Sequence, residues 1–252
     1  MRLLRMAAAA VAVLAAVGGA EAKDWSKVRI GTEGTYHPPF NSLTSDGQLV
    51  GFDIDIANAI CEEMKVECEF VVQDWDGMIP ALQAGKFDAV IASMSITEER
   101  KQKVDFTNKY YNTPPAIAVP KDSKIAGVTD ADLSGVALGA QSSTTHSNYA
   151  EEKLPSADLK LYPTPDEYKL DVASGRIDAV IDDVVVLSDW LATDDGNCCK
   201  ILGTLTPDPV INGEGAGIAI RKEDGDLKEM LNKAIEGILA NGKYFTFDVY
   251  GG

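Results

Sequence analysis

The 252-residue chain carries 39 acidic against 23 basic side chains, a net charge of -16, and 45% of its residues are hydrophobic. Such a surface repels nucleic acid and steers cationic small molecules inward, while the apolar share is ample for real cores. Two histidines, His37 and His146, are too few for a usual Ser-His-Asp or zinc arrangement, and no P-loop or Gly-x-Gly-x-x-Gly stands at a strand-to-helix junction.

The first residues read as an export signal. Arg2 and Arg5 precede a run rich in Ala, Val and Leu, and Ala20-Glu21-Ala22 offers an A-x-A cleavage site before Lys23. Residues 1–22 are therefore expected to be a signal peptide, and their removal leaves the mature chain one charge more negative. In an exported chain, cysteines invite disulfides. Cys61 and Cys68 are seven apart, a span one helical turn and a bend can close. Cys198 and Cys199 are adjacent, where a bond would be strained because ordinary disulfides hold Cα atoms ~4.4–6.8 Å apart. That second pair is left unassigned.

From Val28 strand and helix alternate, which points to an α/β protein with largely parallel sheets. Val28 to Thr32 reads as a strand, followed by a loop from Glu33 to Pro39. Asp53 is placed as the cap of a helix with apolar positions Ile56, Ala57, Ile60, Cys61 and Met64. Glu69 to Val72 is the next strand, Met78 to Ala84 a short helix and Phe87 to Ala92 a buried strand. Thr97 can cap a charged helix from Glu98 to Lys103. Asp53 and Asp55, two apart, do not share a helix face and are no catalytic pair.

The second half echoes the first. Ala84-Gly85-Lys86-Phe87-Asp88-Ala89-Val90-Ile91 returns as Ser174-Gly175-Arg176-Ile177-Asp178-Ala179-Val180-Ile181, each a helix end, a glycine C-cap and a buried strand. Val136 to Ala140 followed by Gln141-Ser142-Ser143-Thr144 parallels the first strand and loop. Two lobes follow: residues 23–113 with 214–252, and residues 114–213 between them. Tyr111 to Pro120 is one candidate crossing. Asn212 to Gly217 is the return, with Ile218-Ala219-Ile220 as the next strand and Leu227 to Leu239 a final helix on the first lobe. A cleft between such lobes, at the carboxyl ends of the strands, is where a ligand belongs.

The string Ala92-Ser93-Met94-Ser95-Ile96-Thr97-Glu98-Glu99-Arg100 sets two hydroxyls and a guanidinium beyond a buried strand. A guanidinium binds both oxygens of a carboxylate at once, although Arg100 paired with Glu98 or Asp105 on a solvated helix is an equal reading. Together with Gly51-Phe52-Asp53-Ile54-Asp55-Ile56-Ala57 and Phe247-Asp248-Val249-Tyr250-Gly251-Gly252, this string resembles the polar amino-acid-binding proteins of bacterial ABC importers, solute-binding protein family 3. The resemblance covers nearly all of residues 27–252 and is strongest to the lysine/arginine/ornithine-, histidine- and opine-binding branch.

That resemblance implies a two-lobed, type II periplasmic-binding-protein fold and a Cys61–Cys68 disulfide. It implies that Arg100 clamps the ligand carboxylate, helped by Ser95 and by backbone N–H groups near Ser93 and Thr144. Asp183, or Asp182 if the register slips by one, takes the α-ammonium. Tyr36 and Trp75 sandwich the side chain, Glu33 meets its distal cation, and Ser143 and Thr144 donate from a helix N-terminus. Ala92 and Ala140 stand where larger residues are common, which widens the pocket, and His37-Pro38-Pro39 makes its loop one residue longer than the usual Tyr-x-Pro-Phe. The expected protein is a monomeric, periplasmic carrier without metal or cofactor. It is not an enzyme, and it delivers a cationic amino acid or an opine to the membrane subunits of an importer. The rival readings are a prephenate- or arogenate-type dehydratase on the same fold and a receptor's sensory domain.

Overall fold

The structure, a computed structural model, describes residues 23–35 and 37–246. The signal-peptide reading, Tyr36 and the Phe247–Gly252 motif lie outside the described residues.

In chain order the first elements are β1 (Lys27–Thr32), β2 (Ser42–Leu43), β3 (Leu49–Val50), α1 (Phe52–Met64), β4 (Glu67–Val72), α2 (Met78–Gln83), β5 (Ala89–Val90), α3 (Glu98–Lys101) and β6 (Asp105–Tyr111). Then come β7 (Pro115–Pro120), β8 (Ala137–Gln141), α4 (Thr145–Lys153), β9 (Asp158–Tyr162), α5 (Pro165–Ala173), β10 (Ala179–Asp183), α6 (Val184–Leu191), β11 (Cys199–Thr204), α7 (Pro209–Asn212), β12 (Ala216–Ile220) and α8 (Gly225–Ala240). One sheet is ordered β4-β1-β5-β12-β6 and the other β11-β7-β10-β8-β9, so the chain passes to the second sheet after β6 and returns at β12. In each sheet one strand, β12 or β7, runs against the rest. The fold is thus α/β in two lobes with mixed, mostly parallel sheets.

Each lobe has its own core. Ile30, Phe52, Ile56, Ile60, Ile218 and Leu231 lie between α1, α8 and one face of the first sheet, and Met78, Leu82, Phe87 and Val90 fill the other face. Ile117, Leu138 and Ile181 play the same part in the second lobe, with Tyr168, Val180 and Trp190 on the opposite side. The echoed strings hold equivalent places. Gly85 and Gly175 both take φ 73°, the left-handed conformation a side chain resists, so each ends its helix and turns the chain into β5 or β10.

Some expectations shift. Asp53 is not a cap: Gly51 is the N-cap of α1, at φ 122° and pressed against the Phe40 carbonyl, and Asp53 is fully buried. The strand expected over Phe87 to Ala92 pairs only at Ala89–Val90, and the helix expected to reach Lys103 ends at Lys101. Thr97 does cap that helix, accepting from the Arg100 N–H. The strand expected from Ile218 begins at Ala216, because Gly217 pairs with Lys109 despite having no side chain to pack. Cys61 joins Cys68 between α1 and β4, and Cys198 joins Cys199 where a turn enters β11.

Candidate binding site

Parallel strands that start from equivalent positions end at one edge, so the loops after β1, β4, β5, β8 and β10 meet between the lobes. Glu33 directly follows β1, Trp75 comes three residues after β4, Ala92 and Ser93 follow β5, and Asp183 ends β10. Glu33, Trp75, Ala92, Ser93, Ser95, Arg100 and Thr144 line one cavity. A second cavity is lined by Asp183 and by Tyr111, Asn112 and Thr113 of the first crossing. His37, Ser93, Ser95, Thr145 and His146 are common to both, so the two are compartments of one cleft.

Arg100 is held by its surroundings rather than by a carboxylate. Lys101 bonds Glu98 and Lys228 bonds Asp105, which removes both partners of the solvated reading. Its guanidinium instead donates to the Ser95 carbonyl at 3.0 Å and the Ser143 carbonyl at 3.2 Å, and lies 5.3 Å from the centre of the Trp75 ring. Burial pushes its pKa down to about 10, which still leaves a cation at neutral pH.

The carboxylates are strained in the opposite sense. Glu33 is 4% exposed and accepts from Gln141 Nε2 at 2.8 Å, a bond from one lobe to the other. Burial lifts it to about 7, against the pull of Gln141. Asp183 is lifted by burial to about 6 while accepting from Thr113 and from the Val185 N–H, the latter at 2.7 Å. Asp182 lies behind it, bonded to Tyr168 and 3.3 Å from His146 Nδ1. Burial works to raise Asp182, but His37, His146, Tyr168 and Lys169 outweigh it and hold the group below the usual range. Asp183, rather than Asp182, is the one that lines the cleft.

The other expected residues divide. The Ser93 hydroxyl donates to Asp53 at 2.9 Å, and Ser93 itself sits at φ 53°. Ser143 faces the outer mouth of the cleft and offers its carbonyl to Trp75 Nε1 at 3.1 Å. Thr144 is the N-cap of α4: its hydroxyl accepts from the Ser147 N–H, and its own N–H goes to Ser147 Oγ. Both groups of Thr144 are thus engaged in a capping box, although the residue lines the cleft, and Thr145 and His146 line it as well. The resemblance also passed over Gln141 and His37. His37 is half-buried, its Nδ1 is shut off from solvent, and burial pushes its pKa down to about 4. Both histidines are the chain's only ones, a signal available from composition alone.

The model of the bacterial extracellular solute-binding proteins, family 3, matches residues 28–248. The chain belongs to that family. It is 48% identical over 234 residues to an L-arginine-binding protein of Pseudomonas aeruginosa, covering 89% of this chain and 90% of that protein. It is 38% identical over 262 residues to the histidine-binding periplasmic protein of Salmonella typhimurium, covering 100% of each. Among solved structures it is similar to an ancestral arginine-binding protein bound to arginine, with TM-score 0.81, 38% identity and coverage of 89% and 96%. It is also similar to an ancestral amino acid-binding protein described as a precursor of cyclohexadienyl dehydratase, with TM-score 0.78, 35% identity and coverage of 90% and 94%. Its relatives include proteins named periplasmic, which match 89–100% of the chain.

Proposed function

We propose that this protein binds a free cationic amino acid (arginine, lysine, ornithine or histidine) in the periplasm and passes it to the membrane subunits of an ABC importer. The observation that carries this reading is the charge set of the cleft: one guanidinium, Arg100, with two carboxylates, Glu33 and Asp183. A cationic amino acid presents the complement, one carboxylate with two cations. Arg100 takes the α-carboxylate, Asp183 the α-ammonium and Glu33 the distal cation, with Trp75 and Tyr36 flanking the stem. The cations of the ligand offset the burial that lifts both carboxyl groups, so each regains its charge on binding. Lobes of 23–113 with 214–252, and of 114–213, close on the ligand because neither holds all the charges alone. The names of the arginine- and histidine-binding relatives support this choice.

A second reading has one observation in its favour. His37 and His146 both border the cleft and can donate to a further carboxylate, which suits an opine.

Calorimetric titration with amino acids and opines tests both. Arg100→Ala is expected to abolish binding of every amino acid. Glu33→Gln weakens cationic ligands by about 10- to 150-fold, the worth of one charge-assisted hydrogen bond, and leaves neutral ones nearly unchanged. Equal losses for neutral and cationic ligands would defeat the assignment of Glu33. Turnover of prephenate or arogenate by the purified protein would replace the carrier with an enzyme.

A further inference from the structure

Asp53 is the second residue of α1, fully buried, and it takes no part in ending the helix. A carboxylate in such a place is costly unless its oxygens are satisfied. They are met by hydroxyls: Ser93 Oγ at 2.9 Å on one oxygen and Tyr110 OH at 2.8 Å on the other. Ser93 occupies the left-handed region at φ 53°, which a residue with a side chain keeps only where its surroundings over-determine it. Those surroundings are the Asp53 bond on one side and, on the other, the Met94 carbonyl accepting from the Gly217 N–H at 3.0 Å. Two residues further on, the Ser95 carbonyl holds Arg100. Tyr110 closes the set at the foot of the crossing into the second lobe.

We propose that Asp53 is a positioning residue for ligand binding: it fixes the Ser93 turn, through that turn the setting of Arg100, and ties both to the strand that leaves for the second lobe. This rests on the amino-acid-binding reading above. Because the displaced element would be the receptor of the α-carboxylate, which all amino acids share, loss of Asp53 weakens every ligand by the same factor. Loss of a pocket wall, by contrast, would discriminate among side chains.

The test is titration of the full chain with arginine and with every neutral amino acid it binds, with the unfolding midpoint followed in parallel. Asp53→Ala should lose at least tenfold in affinity for each ligand alike, and Asp53→Asn, which keeps an acceptor oxygen, should recover most of that loss. Ser93→Ala cuts the same link from its other end and keeps the inference testable if Asp53→Ala does not fold. The double variant should then lose no more than the larger single loss, since the two act through one bond. Wild-type affinity in Ser93→Ala would overturn the inference, as would a loss in Asp53→Ala that varies with the ligand side chain, or an equal loss in Asp53→Asn. If the wild-type chain binds no amino acid, the carrier reading fails. If it binds and the variants match it, only the role of Asp53 fails.

Discussion

Glu33 carries a pH dependence whose sign can be worked out. Its ordinary value of 4.5 is lifted to about 7, first by burial, with Asp182 and Asp74 adding to the lift and the hydrogen bond from Gln141 opposing it. A group raised on folding stabilises most below its unfolded value, and that share is lost as pH climbs through the folded one. The ligand-free protein should therefore lose stability from pH 4.5 to 7 on account of Glu33, and Glu33→Gln should flatten that stretch of the midpoint-against-pH curve. A cationic ligand reverses the bias by holding Glu33 ionised. At pH 6.5, above the value of about 6 for Asp183 and below that of about 7 for Glu33, binding of arginine should release more protons than binding of a neutral amino acid. Calorimetry in buffers of different ionisation enthalpy counts those protons, and an equal count for the two ligands at pH 6.5 would refute the pairing. At this scale the sequence pointed to Arg100 through the Ala92–Arg100 string and to Glu33 only through the family resemblance, and both residues line the cleft. The cap role of Thr144 was less legible: it depends on where α4 begins, and Thr144, Thr145 and His146 all line the cleft around that cap. Asp53 was misread for a related reason. An acid near a helix start reads as a cap, and only the packing of Tyr110 and Ser93 around it shows otherwise.

Among the elements, α1 and β4 show what adjacent segments gain from a covalent tie. Cys61 lies in the last turns of α1, where Lys65 closes the helix at φ 58°, and Cys68 sits in β4 beside Val28 of β1. The bridge encloses a seven-residue separation. A loop of this size is worth about 2–3 kcal/mol in the chain-entropy treatment. Replacing both cysteines with alanine should lower the unfolding free energy by about that amount and leave ligand affinity unchanged, since neither residue lines the cleft. Denaturant titration of the double variant reads the loss; a change in affinity at the same time would mean that α1 transmits to the site. The order of elements was legible in the sequence because buried strands such as Val180–Ile181 are apolar runs flanked by glycine turns. Ends were less so. Phe87 to Ala92 reads as one strand; Asp88 and Ile91 still donate to Arg29 and Gly31 of β1, but the paired register is confined to Ala89 and Val90, and Ala92 and Ser93 beyond them line the cleft.

For the whole molecule, the repeat in the sequence already separated two lobes, and physics explains why their contact was not readable. Among the described residues the bonds that bridge them include Gln141 to Glu33, Trp75 to the Ser143 carbonyl, Arg100 to the same carbonyl, Ser142 Oγ to Asp76 at 3.1 Å, and Thr113 to Asp183 beside the first crossing. Each joins residues far apart in the chain, with no local signature. A neutral bond of this kind is worth about 0.5–1.5 kcal/mol and one to a charged group about 1.5–3 kcal/mol net, so a ligand that brings its own charged partners is expected to decide between open and closed forms. Trp75 reports that decision. Its indole donates across the cleft and its ring faces Arg100, whereas Trp25 and Trp190 are 9% and 3% exposed within the two cores. Addition of ligand should change the tryptophan fluorescence of the wild-type protein and shrink its radius of gyration in solution scattering. In Trp75→Phe the scattering change should persist while the fluorescence change disappears. A fluorescence change that survives in Trp75→Phe would place the moving parts elsewhere than the cleft, and a radius indifferent to ligand would mean that the lobes do not close at all.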